Sequence, residues 1–398
     1  MDYYDHTTLE TYTNSTLKYA WGDALRDDMR IVSELRGKYA THIFTDRAID
    51  IIKRHNKSQP LFLYVSSSAV HSANRYALFQ APFNEVLKFP HIRHPERRIF
   101  AAMVSELDTS IGKIFRTLDK MKMLDNTIFI ISTDNGGEVA GLRGGVGSNW
   151  PLRGNKQTLW EGGVKGVGVV WSELLKYQSR IENNLIHISD WLPTLYHAAG
   201  GNVTTLGSIY GIDQWDTLST GVRSPREEIL HNIDPIDGAS ALRFRNYKLI
   251  NGSNLKGNYN GWYGPNGRES NFLSFYYENL LRSSYSWETL NRKGYFENAE
   301  HNILRKVELN CFRNSKKNVS NCDPNVSPCL FDVKTDPCEL ENIAMLHPEV
   351  VIAMQKRLEE FKSSAIPPVD STFNPLADPA LHQFAWTNWA DSLNDHLS

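Results

Sequence analysis

The chain has 398 residues, 41% of them hydrophobic and 22% charged, which is the composition of a globular protein long enough for two domains. A formal net charge of −2 with no basic block argues against a nucleic-acid partner or an anionic membrane surface. No uncharged apolar run is long enough to span a bilayer.

Residues 1 to about 37 are polar and carry little periodicity. Thr45 to His55 reads as a helix with Ala48, Ile51 and Ile52 on one face. After Pro60 comes LFLYVSSS, a short apolar run of the kind expected for a strand buried on both faces. Pro95 to about Lys122 is a long helix, opened by a proline in a favourable first-turn position. Its Ile99, Met103, Leu107, Ile111, Ile114 and Leu118 recur at helical spacing. Strands are expected at Thr127 to Ser132 and at Val164 to Val170, and a helix at Asp190 to Ala199. Apolar strands alternating with helices predict an α/β layer built on a largely parallel sheet.

The pattern changes near Pro235. ALRFRNYKLI, 241–250, alternates with period two around Asn246 and predicts an antiparallel hairpin. CLFDVKTDP, 329–337, is a further strand ending in a turn, and Pro348 to Ser363 is an amphipathic helix. The chain is therefore divided into a larger α/β domain, 1–235, and a smaller α+β domain, 236–398, whose middle, 251–328, reads as loop.

Chemistry concentrates where the strand TIFIIS runs into Thr133-Asp134-Asn135-Gly136-Gly137. Asn-Gly is a strong turn signal. Asp134 and Asn135 also offer the oxygen ligands that a hard cation takes, at the carboxyl end of a strand, where open α/β sheets bind ligands. His71 follows the neighbouring apolar run and is placed to act as an acid or to donate to an anion. In WPLRGNKQTLWEGGVKG, Arg153, Lys156 and Lys165 can neutralise an anionic substrate. A hard metal with Lys and His suits a sulfate or phosphate oxyanion. Trp160 either lines a pocket or supports this loop, and His231 either reaches substrate or fixes the domain junction.

The sequons at Asn14, Asn56, Asn202, Asn251, Asn318 and Asn325 are candidate glycan acceptors. Cys311, Cys322, Cys329 and Cys338 fall in one window without zinc-site spacing, and predict one or two disulfides in any of three full pairings. Sequons and clustered cysteines point to a lysosomal or secreted protein. MDYYDHTTLE is polar from its first residue and is not a signal peptide, so a truncated N-terminus is expected.

AVHSA, STDNGG, NWPLRGNKQTLWEGGVKGVG, LIHISDWLPTL, ILHNIDP and LFDVKTDP, in that order, resemble the sulfatases. The likeness is strong from about Tyr39 to Pro235 and looser beyond, where Trp386 and Trp389 still fit. It implies an alkaline-phosphatase-like mixed sheet flanked by helices, incomplete at its N-terminus, with a smaller C-terminal α+β domain carrying an antiparallel sheet. It also implies a sulfuric ester hydrolase acting on sulfated small molecules or glycosaminoglycan sugars. Asp134 and Asn135 then correspond to ligands of a single calcium ion, His71 to the group that contacts sulfate and assists the leaving group, and Lys156 to a sulfate contact. The family's nucleophile, a Cys or Ser in Cys-x-Pro-Ser-Arg that becomes formylglycine, has no counterpart in this chain. The early Asp-Asp pair and the Gly-Lys-Trp-His segment are missing too, and His71-Ser72 lacks the usual following proline. Formylglycine is expected only in a full-length form, and Met1–Ser398 by itself is expected to turn over little. A pseudo-sulfatase that binds sulfated glycans or a protein partner is the alternative.

Overall fold

The structure is a computed structural model describing residues 7–12, 18–74, 76–139, 145–264, 278–296, 309, 311, 322–368 and 375–388. Two compact units are built from interleaved segments: 1–122 with 276–297 and 367–398, and 123–275 with 298–366. Asn14, Asn318 and Trp389 lie outside the described residues.

In the first unit, β1 (Thr7–Tyr12) and β2 (Lys18–Asp23) form an antiparallel hairpin. Two further short strands, β3 (Arg26–Asp27) and β4 (Arg30–Ile31), pair with each other. Helix α1 (Ala40–Arg54) buries Ala48 and Ile52. After the short α2 (Phe83–Val86), α3 (Pro95–Lys120) starts on its proline, and the His94 ring nitrogen accepts the Arg97 N–H. Met103, Ile114 and Leu118 of α3 are buried, as their spacing predicts. His42 Nε2 and Glu106 Oε2, 2.8 Å apart, tie α1 to α3. The helix Tyr285–Arg292 closes on α3, with the Arg116 guanidinium 3.8 Å over the Tyr285 ring.

Leu61 to Ser68 departs from expectation: it forms no ladder among the described residues. Phe62 and Tyr64 are each 79% exposed. The expected burial on both faces is not found: exposure alternates over 61–64, with Leu61 and Leu63 half-buried, and Val65 to Ser67 are exposed, and a strand needs a partner to pair with, which this run lacks among the described residues.

In the second unit, β5 (Phe129–Ser132) pairs with β6 (Gly168–Trp171), with α4 (Glu161–Val164) between them in the chain. The pairing is antiparallel rather than parallel; among the described residues the connection holds only the single turn of α4, too short to carry a parallel crossover. Helices α5 (Trp191–Ala198) and α6 (Trp215–Thr220) follow. A four-stranded antiparallel sheet in the order β10-β9-β8-β7 then forms from β7 (Glu228–Asp234), β8 (Ala239–Phe244), β9 (Tyr247–Asn251) and β10 (Cys329–Asp332). The expected hairpin is present, turning at Arg245-Asn246.

Period two divides that sheet. Leu242, Leu249 and Leu330 pack with Met354 and Leu358 of the helix Pro348–Ser363. Ala241, Ile250, Cys329 and Phe331 pack with Leu159 and Trp160. Lys248, two residues before Ile250, falls on that second, apolar face.

Candidate active site

The turn after β5 is sewn to the loop that precedes β6. Thr133 N–H donates to Val167 O at 3.0 Å, and Gly136 N–H to Gly163 O at 2.9 Å. The Asn149 side chain accepts from Gly137 N–H at 2.8 Å and donates to Gly137 O at 2.9 Å. Asn155 Oδ1 accepts from Val139 N–H at 2.7 Å, and Lys156 N–H reaches Gly137 O at 3.1 Å. The glycines are required by proximity. A Cβ on Gly136 would stand 1.7 Å from Gly162 O, so backbone lies directly on backbone.

This stitching places Asp134, Asn135 and Lys156 on one assembly. Asp134 is exposed, and its Oδ1 accepts the Asn135 N–H at 2.8 Å. Asn135 Nδ2 donates to Gly136 O at 2.8 Å. That leaves Asp134 Oδ2 and Asn135 Oδ1 with no donor among the described residues. Lys156 is half-buried and has no ion pair among the described residues. Two hard oxygens on adjacent residues suit calcium, although calcium takes about six to eight. No group of three or more His, Cys, Asp or Glu that could hold a metal occurs among the described residues. Asp134 and Asn135 therefore fit a calcium ion as part of a larger ligand set.

The other sequence candidates are placed differently. His71 is exposed, lies in the first unit, and its Nδ1 sits 2.7 Å from Ser72 O. Lys165 is exposed. Arg153 is buried and committed: Nε donates to Asn260 O at 2.7 Å, and the guanidinium stacks 3.6 Å from Trp160 and 4.4 Å from Trp262. Burial lowers its pKa to about 10, against the opposing pull of Glu339 and Asp336. Trp160, 1% exposed, donates from Nε1 to Asn260 Oδ1 at 2.8 Å and packs edge-on to Phe331, so it occupies the position of a support beneath the loop.

His231 sits at a break in the β7–β8 register, where the ladder passes from Leu230 to Asn232. Such a bulge re-aims a side chain. Its Nε2 is enclosed without a hydrogen-bond partner among the described residues. Burial and then nearby Lys248 push its pKa down to about 3, so it is neutral at physiological pH.

Three groups escaped the sequence reading. Lys248 Nζ lies 2.9 Å from both Glu161 Oε1 and Glu339 Oε1, and all three side chains are buried. Glu339 Oε2 accepts the Glu161 backbone N–H at 2.8 Å. Burial pushes the Glu339 carboxyl up to about 7. For Glu161 burial acts in the same upward sense, but Lys248 and other neighbouring cations outweigh it and hold that carboxyl near 2. The only sequence signal for this cluster was a lysine in phase with Ile250 on an alternating strand.

Residues 1–201 match the family model described as Sulfatase. Arylsulfatase J of Mus musculus is 34% identical over 89% of this chain and 54% of its own length. N-acetylgalactosamine-6-sulfatase of Homo sapiens is 30% identical over 46% of this chain and 33% of its own length. The chain thus spans about half of arylsulfatase J and a third of the human enzyme. Among solved structures, Ps i-CgsB in complex with k-i-k-neocarrahexaose superposes with a TM-score of 0.59 at 18% identity, over 87% of this chain and 57% of that one. BT4656 in complex with its substrate D-glucosamine-2-N,6-O-disulfate gives a TM-score of 0.51 at 15% identity, over 91% of this chain and 73% of that one. A strand-end Asp-Asn turn fastened to a lysine-bearing loop, inside a chain that matches the family model over half its length, makes this protein a member of the sulfatase family, with the alkaline-phosphatase-like fold.

Proposed function

We propose that this chain carries part of the active site of an arylsulfatase-B-type sulfuric ester hydrolase acting on sulfated sugars of the glycosaminoglycan class. The observation that carries the reading is the pair of oxygens on Asp134 and Asn135 that have no donor among the described residues, sewn to the loop that holds Lys156, which has no ion pair among them. A bound calcium ion would draw charge from the sulfate oxygens as a Lewis acid. Lys156 places its ammonium against the same oxygens and stabilises the charge that develops there. His71 is proposed as the proton donor to the departing ester oxygen. Trp160 supports the loop, and His231 either reaches substrate or fixes the domain junction. The division into domains at 235/236, glycans on the sequons, and a lysosomal or secreted location belong to the same proposal. Two disulfides, Cys311–Cys338 and Cys322–Cys329, suit an oxidising compartment.

Met1–Ser398 contains no Cys-x-Pro-Ser-Arg nucleophile, and all four cysteines are in disulfides. The chain by itself is therefore expected to give little turnover. That observation also favours a second reading, a non-catalytic protein that binds sulfated glycans or a partner protein.

The test is sulfatase activity of the protein isolated from its source, with its N-terminal extent mapped by mass and 4-methylumbelliferyl sulfate as substrate. Asp134→Ala in that protein should lower kcat/KM by about a hundredfold or more, the scale of a lost electrostatic contact. Activity within twofold of the parent would remove the ligand assignment. Absence of activity with retained binding of sulfated oligosaccharide would establish the second reading.

A further inference from the structure

The Glu161–Lys248–Glu339 cluster lies directly beneath the loop that carries Lys156, and the site chemistry above makes no use of it. Lys248 comes from β9, Glu161 opens α4, and Glu339 follows Cys338 of the Cys311–Cys338 disulfide. Three ionisable side chains share a site with no solvent access: Lys248 and Glu339 are each 0% exposed. Burying ions in this way is a poor stabilising device, since apolar residues of equal volume commonly do as well. What it provides is direction, because one ammonium held between two carboxylates has a single satisfactory position.

We infer that this cluster is a positioning device: Lys248 and Glu339 fix the amino end of α4 and, through it, the Asp134–Asn135 turn and Lys156. The inference rests on reading those three residues as the sulfate site. Beyond the Glu339 carboxylate, the linkage is made of backbone contacts. Glu339 Oε2 holds the Glu161 N–H at 2.8 Å. Gly162 N–H then donates to Arg153 O at 2.6 Å, and Gly163 O accepts from Gly136 at 2.9 Å. A Cβ on Gly162 would lie 2.5 Å from Arg153 O, and one on Gly136 1.7 Å from Gly162 O. No flexible side chain lies between cluster and turn to absorb a displacement. Arg153 secures the far side of the loop, reaching Asn260 O at 2.7 Å, Cys322 O at 3.3 Å and Glu339 O at 3.4 Å.

Hydrogen–deuterium exchange on Met1–Ser398 tests this without requiring activity. The reporters are the amides of Gly136, Gly137 and Val139, which are bonded to Gly163, Asn149 and Asn155 and touch no member of the cluster. Lys248→Met and Glu339→Ala should each accelerate their exchange about tenfold or more, while amides of the helix Pro348–Ser363 stay within about twofold. Glu339→Gln keeps an acceptor for the Glu161 N–H and should retain most of the protection. Acceleration confined to residues touching the cluster would overturn the inference. So would uniform acceleration that includes Pro348–Ser363, including outright failure to fold, because the cluster would then be structural only. The two readings fail separately: an inactive full-length protein would remove the sulfatase function while leaving the exchange pattern standing.

Discussion

Replacing Gly136 by alanine probes the contact on which the site depends. The added Cβ would sit 1.7 Å from Gly162 O, 2.7 Å from Gly162 C and 3.1 Å from Gly163 Cα. All three are backbone atoms, so relief requires the turn and the loop to part by more than about 1 Å. That movement breaks the Gly136 N–H to Gly163 O bond, at about 1 kcal/mol, and strains the packing by about 1–3 kcal/mol. A destabilisation of about 3 kcal/mol is expected, read as a lower urea midpoint for the second unit by near-ultraviolet circular dichroism. In a full-length enzyme the same displacement of Asp134 and Asn135 from Lys156 should cost about a hundredfold in kcat/KM. Gly168→Ala is the internal control. Its Cβ meets nothing within 4 Å, so its effect should stay within about 0.5 kcal/mol. If both variants unfold at the parent midpoint, the backbone-on-backbone account of the site is wrong.

Other outcomes follow from the same structure. Burial pushes the Glu339 carboxyl up to about 7, above its unfolded value of about 4.3, so the folded chain holds an extra proton between those pH values. Stability is then greatest at the acid end of that window and falls as pH rises through it, by at most about 1.4 kcal/mol per pH unit. Glu161, held near 2, keeps its contribution above about pH 4.5 and loses it only below. Glu339→Gln should therefore flatten thermal stability between pH 5 and 7, and an unchanged slope would contradict the assignment. In material secreted from a eukaryotic host, peptide mapping should find glycan on Asn56 and Asn202. Both are exposed, and each Oδ1 is bonded to the hydroxyl two residues on, at 2.9 and 2.8 Å. Asn251, with its Oδ1 enclosed in the sheet, should be bare. Reduction of Cys311–Cys338, which spans 27 residues, should lower the stability of the second unit by about 3–4 kcal/mol, measurable by calorimetry with and without reductant.

Helices and turns were readable where the signal is local. The spacing in α3, its proline start, the Asn246 hairpin and the helix Pro348–Ser363 all appear where their residues indicated. The Asp134-Asn135 turn was visible as an apolar run stopping on a carboxylate and an amide, and the roles attached to it and to Lys156 came from the sulfatase likeness. Pairing between strands distant in sequence was not readable, because an apolar run carries no direction. The run Leu61 to Ser68 joins no ladder among the described residues, and β5 pairs antiparallel where a parallel sheet was expected. The Lys248 cluster was invisible for a related reason. Its carboxylates arrive from positions 161 and 339, and nothing local to Lys248 announces either.

Those separations also bear on how the chain reaches its final state. The Arg153 contact with Glu339 spans 186 residues, and the Glu161–Glu339 bond spans 178. At a synthesis rate of about 5–20 residues per second, the Asp134–Asn135 turn leaves the ribosome roughly 10 to 40 s before the residue that anchors its loop. Non-local closures of this kind slow folding. The turn therefore meets its partners at 149–167 within a few seconds, whereas the loop gains its Glu339 anchor late, after translation has passed that residue.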